Sequence, residues 1–485
     1  MQIFFILGIP ILLAVTCLLI RRQRFLGILN CVGYLVVLFL SVILLKQIAL
    51  SGSTRSFLGF ICLDALSVFF IFVIAVVVFA SALYSVGYIK KDIEKGIISQ
   101  KKASTYYLLF NLFCCSMFFV PAMNNLGMLW VAIEMTTLIS AFLVGFYNKK
   151  ESVEAAWKYI IICSVGIIFA LLGTILFSYA FSISGLSKSL NWSDMVGVAQ
   201  ILDKNILKIA FIFILVGYGT KAGLAPMHTW LPDAHSQAVA PISALLSGVL
   251  LKTAIYAILR FGIIIIKSVG FAYFAHLMIL LGVISLVISS GFILVQKDLK
   301  RLLAYSSIEH IGIIAIGFGL GTPLACAGAL LHVFNHAVTK SLMFFGAGNI
   351  VSFYRKHNMN AIRGVSKALP FTGMMMFLGV FALTGFPPFS IFISEMMIII
   401  AAFTKSSYLI AAILLLFLAI IFGAFINHFG KMLFGSIPKG MTKTGEPLTG
   451  KFAFLFLGLL ICITGVAFVF IKGEWIWVVQ KLFLI

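Results

Sequence analysis

Residues 217–241, GYGTKAGLAPMHTWLPDAHSQAVAP, decide the fold, because they place a lysine among helix breakers within a long apolar region. A charged side chain at the bilayer centre costs about 2.5–3.5 kcal/mol on insertion scales, so Lys221 needs a polar surrounding. The prolines and glycines around it interrupt the helix. Unwound backbone at membrane depth survives only where protein covers it or where it lines a cavity. The stretch therefore predicts a broken membrane helix beside a polar interior.

The composition of the whole chain agrees with a membrane environment. Of 485 residues, 62% are hydrophobic and 10% are charged, against about 25% charged in a soluble domain. These values exclude a soluble enzyme, a disordered chain and a disulfide scaffold. The net charge of +21 does not indicate nucleic-acid binding, because the excess Lys and Arg lie between apolar runs, as in membrane topology signals.

Apolar runs of about 20 residues are candidate membrane spans. We predict fourteen of them: 3–20, 25–45, 60–88, 105–122, 126–147, 156–182, 207–225, 240–265, 272–295, 302–321, 324–352, 370–401, 407–429 and 452–471. The loops on one side of this arrangement and their flanks hold 21 Lys and Arg, and the other side holds ten, Arg260 among them. The positive-inside rule then predicts a multi-pass protein of the cell (inner) membrane with both termini outside.

A second span is broken in the same way, at residues 383–395, LTGFPPFSIFISE, ahead of Glu395. The breaks fall in the seventh and twelfth predicted spans, five apart. They predict two five-helix repeats, spans four to eight and nine to thirteen, with inverted topology because the number of spans is odd. The fold class is thus an all-α polytopic membrane protein of about 14 transmembrane helices. Its predicted segments are 1–104, 105–268, 269–430 and 431–485.

Two lysines and one glutamate within the predicted spans are the first candidates for ion transfer. Glu134 and Lys221 can form a buried ion pair that acts as a switch when a proton arrives, or a static structural pair. Lys252 lies mid-span, where burial disfavours the charged form of an amine, so it can load and release a proton. The alternative is a lysine that extends its amine to the membrane surface.

His332, His336 and Lys340 stand at i, i+4 and i+8 and therefore share one face of a helix. Their spacing of about 6 Å along the helix axis suits a proton wire with bridging water. Two alternatives stay open, satisfied interior histidines and a metal site. The metal motif H-E-x-x-H requires Glu where Val333 stands.

Glu395 follows the second break, where it can exchange protons with one aqueous side or pair with a charge of a neighbouring subunit. Glu309 and His310 are adjacent and so point in different directions, and we favour His310 for the pathway. The secondary candidates are Lys158, His310, Asp233 and His228. We expect no catalytic centre, cofactor or metal in this chain, because none of its eight cysteines forms a C-x-x-C pair.

Four segments carry a resemblance to a known family: 220–238 (TKAGLAPMHTWLPDAHSQA), 241–256 (PISALLSGVLLKTAIY), 334–348 (FNHAVTKSLMFFGAG) and 387–395 (PPFSIFISE). The chain resembles the antiporter-like subunits shared by respiratory complex I (L, M and N), Mrp cation/proton antiporters and membrane-bound hydrogenases. The segments LWVAIEMTTLISAFLVGFY and AAWKYIIICSVG look most like the F subunit of hydrogenase-4-type complexes.

The resemblance implies roles for individual residues. Glu134 and Lys221 match the family's glutamate–lysine pair, and Lys252 matches its central lysine. His336 and Lys340 match an H-A-x-x-K pattern, and Glu395 matches a terminal charge that is Glu in M-type and Mrp D-type members. Little sequence follows the last predicted span, so the long lateral helix of L-type subunits is not expected.

The resemblance also implies a function, a proton- or sodium-translocating subunit of a redox-driven complex, foremost a group 4 hydrogenase. Loading at Lys252 would be gated by Glu134 and Lys221, with transfer along the His332, His336 and Lys340 stripe. Nickel–iron and iron–sulfur centres would belong to partner subunits, other membrane subunits and a peripheral cytoplasmic redox module. The alternatives are an Mrp-type antiporter subunit, a complex I M-type subunit, a proton-conducting partner of an inorganic-carbon uptake enzyme and an inactive scaffold.

Overall fold

A computed structural model describes residues 2–56, 59–185, 189–438 and 445–483, with the backbone alone for 55–56 and 467–483. Nearly all of this chain is helical. The elements are α1 Gln2–Leu19, α2 Gln23–Ser51, β1 Thr54–Ser56, β2 Ile61–Leu63, α3 Ala65–Glu94, α4 Gln100–Ala122, α5 Leu126–Val144, α6 Lys150–Ser182, α7 Trp192–Gly197, α8 Lys204–Ala222, α9 Trp230–Gln237, α10 Ala240–Leu245, α11 Leu251–Ser268, α12 Phe271–Val295, α13 Leu299–Leu320, α14 Pro323–Tyr354, α15 Val365–Ala368, α16 Pro370–Leu383, α17 Ser390–Thr404, α18 Tyr408–Leu433 and α19 Leu448–Phe483. The two short strands pair antiparallel, Thr54 with Leu63.

Within the described residues, twelve helices are long and apolar enough to cross a membrane. They coincide with twelve of the fourteen predicted runs. The run 324–352 is the long helix α14, and the run 370–401 is the pair α16 and α17 on either side of the second break. The all-α polytopic fold is therefore confirmed, whereas the count of fourteen spans and the inverted repeats stay predictions.

The chain forms two compact units. The first comprises Met1–Phe79, Gln100–Trp230 and Val249–Met278. Helices α6 and α8 pack closely in it, and Gly217 shows why: a Cβ there would lie 2.5 Å from the Ala170 backbone nitrogen. Only glycine permits that approach. This packing brings residues of α6 next to the end of α8, where Lys221 lies.

The second compact unit comprises Ala80–Ser99, Leu231–Gly248 and Ile279–Ile485. Helix α14 runs through its interior, with almost every residue from Ala325 to Gly348 buried. Over this stretch the helix has no exposed face, so its polar side chains also lie inside the protein. Glycines allow its close contact with α17, since a Cβ at Gly328 would lie 2.9 Å from Met397 Cβ. The histidines of α14 are therefore enclosed by protein.

The first helix break lies between α8 and α9. Helix α8 ends at Ala222, and Gly223 adopts the left-handed conformation with φ of +78° that favours glycine. Two of the carbonyls left open by the break accept hydrogen bonds: Gly219 O from Leu224 N–H at 2.9 Å and Thr220 O from the Trp230 indole at 2.8 Å. The break is therefore satisfied within the protein, as membrane depth requires.

The second break uses the same G-x-x-P spacing, Gly385 to Pro388. Helix α16 ends at Leu383, and Gly385 again has a positive φ, +65°. The Asn335 side chain of α14 donates a hydrogen bond to Ser390 O, the first residue of α17, at 2.7 Å. A Cβ at Gly385 would collide with Glu395 Oε2, so this glycine makes room for the carboxylate.

Candidate functional site

The amine of Lys221 is fully buried in the last turn of α8. It donates hydrogen bonds of 2.7 Å to Thr137 Oγ1 and to Tyr159 Oη. Ser140 Oγ directs its hydrogen to Thr136 O at 2.6 Å, so Tyr159 donates to Ser140 over 2.8 Å. Neutral oxygens thus replace the water around the ammonium. We call Lys221, Thr137, Tyr159 and Glu134 the lysine site.

Glu134 does not contact Lys221, and this corrects the predicted ion pair. No salt bridge joins these two side chains, and Glu134 Oε1 instead accepts a hydrogen bond from Ser164 at 2.9 Å. Glu134 is half-buried and faces α6, whereas the hydroxyls of Thr137 and Tyr159 already hold the amine. No described group hydrogen-bonds Glu134 Oε2. Lys221 and Glu134 are therefore not in contact, and Glu134 Oε2 is available to accept a hydrogen bond.

Lys252 is buried in α11. It follows a π-helical turn, Leu246–Leu250, that connects α10 to α11. Such turns occur often at functional sites, because they turn side chains away from regular helical positions. His228 is buried within the first break. The structure thus encloses both of these candidates.

The histidines are connected differently from the predicted stripe. On α14, the rings of His332 and His336 are 6.4 Å apart between centroids. His310 of α13 lies between them: its Nδ1 is 2.9 Å from His332 Nε2, and its ring is 4.6 Å from that of His336. We call these three residues the histidine cluster. Its shortest polar connection crosses between two helices instead of following one.

The hydrogen bonds of the cluster have a direction. Ser394 Oγ donates to Ile391 O at 2.8 Å, so it accepts from His332 Nδ1–H at 2.9 Å. With its hydrogen on Nδ1, a neutral His332 ring accepts from His310 Nδ1–H through Nε2. The order is therefore His310 to His332 to Ser394. These hydrogen bonds therefore connect His310 through His332 to Ser394, the residue before Glu395 in the chain.

Lys340 and Glu395 lie in the same compact unit as the histidine cluster. The buried Lys340 amine donates to Leu303 O at 2.8 Å and to Ser306 Oγ. Glu309, on the same helix as these acceptors, is also buried. Glu395 is 5% exposed, and none of the described groups hydrogen-bonds its Oε1. The Glu395 carboxylate is thus buried, and its Oε1 is available to accept a hydrogen bond.

Two secondary candidates form ion pairs of their own. Lys158 is half exposed and pairs with Glu154, one turn earlier, at 2.7 Å. Asp233 pairs with Arg301 of α13. The structure therefore gives each of these two residues a partly exposed ion-pair partner.

Sequence analysis missed a buried ion pair. Arg260, counted there among outer loop charges, is 4% exposed and makes two 2.6 Å bonds to Asp64. Its Nε also donates to Tyr256 at 2.8 Å. The available signal was spacing, since Lys252, Tyr256 and Arg260 stand at i, i+4 and i+8. The hydroxyls of the lysine site, Thr137 and Tyr159, carried no comparable signal.

A polytopic helical membrane protein with buried lysines, histidines and carboxylates beside broken helices belongs to the class of ion-translocating membrane subunits. Residues 123–422 match the family described as NADH:quinone oxidoreductase/Mrp antiporter, transmembrane. The chain belongs to this family, as an antiporter-like subunit. The resemblance predicted from the four segments is confirmed.

Individual relatives agree with this assignment. A hydrogenase-4 component F homolog of Methylacidiphilum infernorum is 40% identical, covering 79% of this chain and 80% of that protein. An archaeal membrane-bound sulfane sulfur reductase contains a chain of the same fold: TM-score 0.86, 24% identity, covering 100% of this chain and 97% of that one. A chain of the Mrp complex from Dietzia sp. DQ12-45-1b gives TM-score 0.87 at 17% identity, covering 99% and 97%. The last two show the fold alone.

Proposed function

We propose that this chain moves protons across the membrane as the antiporter-like subunit of a redox-driven complex, a group 4 membrane-bound hydrogenase. The observation that carries the proposal is the directed line from His310 through His332 to Ser394, next to the enclosed Glu395. Histidine is suited to such transfer because its charge changes near neutral pH. The similarity to a hydrogenase-4 component F homolog supports the kind of complex.

In the first compact unit, Lys221 acts as a gated carrier and Lys252 as a loading site. The Lys221 amine rests on two hydroxyls, and Glu134 offers a free acceptor. When the amine leaves Thr137 and Tyr159 for the carboxylate, the neutral hydroxyls lose their charge-assisted bonds. The group on which a proton is most stable therefore depends on whether Lys221 contacts Glu134 or the two hydroxyls.

In the second compact unit, the histidine cluster carries the proton, with Lys340 and Glu395 as charged stations. Each imidazole accepts on one nitrogen and releases from the other, which moves the proton by one residue. The ring then returns to its first tautomer before the next transfer. The proton then reaches Glu395, which has a carboxylate oxygen within 4.8 Å of a nitrogen of His310 and of His332, and leaves there for the aqueous side.

The driving force must come from partners. Moving one charge against 100 mV costs about 2.3 kcal/mol, and this chain is proposed to hold no redox centre. Nickel–iron and iron–sulfur centres would lie in a peripheral cytoplasmic module, attached through other membrane subunits. The complex would reside in the cell inner membrane among its lipids, with both termini of this chain outside.

Two measurements test the proposal. The chain is purified in gentle detergent with whatever accompanies it, and the partners are identified by mass spectrometry alongside nickel and iron analysis. Nickel with a large hydrogenase subunit supports the hydrogenase assignment. Iron without nickel, beside NADH- or quinone-reactive subunits, indicates a complex I-like machine, and small membrane subunits without metal indicate an Mrp-type antiporter.

Transport by the purified complex in proteoliposomes tests the ion-moving role itself. Lys252→Met should abolish proton movement, because methionine fills the site without binding a proton. Lys158→Met is the matched control, since that lysine is half exposed and paired with Glu154. Wild-type transport in the Lys252 variant would mean that this chain is a scaffold. Sodium dependence of the flux decides between Na⁺ and H⁺.

A further inference from the structure

We propose that His310, His332 and Glu395 form a binding site for a divalent transition-metal ion of the Zn²⁺ type. One ligand atom from each residue lies within 4.8 Å of the other two, and all three residues are buried. They come from three helices, α13, α14 and α17. Two imidazoles with one carboxylate form a ligand set typical of Zn²⁺ sites that keep an open fourth position.

His332 already has the tautomer that a metal requires. Its Nδ1–H donates to Ser394, so Nε2 carries the lone pair. An outer hydrogen bond that orients a ligating histidine accompanies nearly all such ligands in metalloproteins. Ser394 is itself held by its bond to Ile391 O. The second shell of the site is therefore in place.

Glu395 supplies the negative charge that a divalent ion favours. No described group hydrogen-bonds its buried Oε1, so one carboxylate oxygen lacks a partner that a cation would provide. Its Oε2 lies against Gly385, where a side chain would collide. The carboxylate is thus fixed in position with an unused acceptor.

Small side-chain movements complete the geometry. Ligand atoms around a tetrahedral Zn²⁺ lie about 3.3–3.5 Å apart, between the 2.9 Å of the His310–His332 bond and the 4.8 Å limit of the group. The hydrogen on His310 Nδ1 must leave that nitrogen when the metal binds. In the second break, which precedes Glu395, Phe386, Pro387 and Pro388 are exposed.

Metal binding is measured on the purified complex with Co²⁺, whose tetrahedral sites absorb visible light, and with Zn²⁺ as competitor. The wild type should bind one ion more per chain than Glu395→Gln, with the absorption lost in that variant. Ser394→Ala keeps all three ligands and should weaken binding about tenfold to a hundredfold. His428→Asn is the matched control, because His428 contacts Ile293 O instead. Equal binding in wild type and both site variants would overturn the proposal.

The consequence for transport rests on the proposed function and is tested separately. Because the metal occupies the nitrogens that pass the proton, Zn²⁺ should block proton flux in proteoliposomes, and Ser394→Ala should need about tenfold more Zn²⁺. Mg²⁺ should have no effect, since it prefers oxygen ligands. Full proton flux while the absorption spectrum shows the site saturated with metal would overturn the proposed block. A metal-free wild type without flux would contradict the proposed function, while the spectrum still decides the metal site.

Discussion

The lysine site and the histidine cluster each lie beside a helix break, yet they hold charge in different ways. At the first, an ammonium rests on neutral hydroxyls while its carboxylate partner, Glu134, bonds to Ser164. At the second, rings and a serine form a directed hydrogen-bonded line. The first can change state only if Lys221 moves. In the second, hydrogen bonds already join His310 to His332 and His332 to Ser394.

The same backbone feature thus lies beside two different arrangements of charged side chains. Both breaks have a left-handed glycine followed three residues later by proline. In the first break the charged residue, Lys221, precedes the glycine. In the second break the charged residue, Glu395, follows it. A tight ion pair does exist in the first compact unit, Arg260 with Asp64. Arg260 and Asp64 are in direct contact, whereas Lys221 and Glu134 each bond to other side chains.

The largest effect is expected from Lys221→Arg. Arginine keeps the positive charge but does not release its proton in proteins, so the carrier would be locked. Proton flux in proteoliposomes should fall to background while the complex stays assembled. Lys158→Arg serves as control and should transport normally. Normal flux in the Lys221 variant would show that this residue is only a counter-charge.

Gly385→Ala should act on the other site almost as strongly. The added Cβ collides with Glu395 Oε2, and the positive φ disfavours alanine. Displacing the carboxylate should reduce proton flux at least about tenfold, which is about 1.4 kcal/mol in barrier height. Gly423→Ala is the control, because a Cβ there meets nothing within 4 Å. Similar proton flux in the Gly385 and Gly423 variants would mean that Glu395 is not part of the proton pathway.

Ser394→Ala should lower proton flux about threefold to tenfold, which is up to about 1.4 kcal/mol in barrier height. The change removes the acceptor of His332 Nδ1–H, so the ring loses the bond that orients it. Steady-state flux is measured beside Ser290→Ala, whose hydroxyl bonds only to its own helix, at Val287 O. If both serine variants transport equally, the direction assigned to the cluster is wrong.

The smallest effect is expected from Tyr159→Phe. The Lys221 amine then keeps Thr137 as an acceptor and loses one of two hydroxyl bonds. A bond from a charged donor contributes about 1.5–3 kcal/mol, but movement of the amine toward Glu134 partly compensates. Flux should change about twofold to threefold, against no change in Tyr408→Phe at the exposed start of α18. Complete loss of proton flux in Tyr159→Phe would mean that the Lys221 amine cannot reach Glu134.

Much of the fold was predictable because apolar length and helix breakers act locally along the chain. The breaks beside Lys221 and Glu395 follow from glycine, proline and a charge within one short stretch. The hydrogen bonds of the site were harder to predict, because His310 and Tyr159 contact their partners on other helices. Sequence spacing relates residues within one helix, so it could not reveal the shorter contact of His332 with His310 or the hydroxyls that hold Lys221.

The central claim is that protons cross between helices at His310 instead of following α14. The most direct test is the proton flux of His310→Asn in proteoliposomes, beside His428→Asn as control. The structure predicts a loss of at least about tenfold for His310→Asn and normal flux for the control. Wild-type flux without His310 would contradict the claim and return the pathway to His332, His336 and Lys340 on one helix.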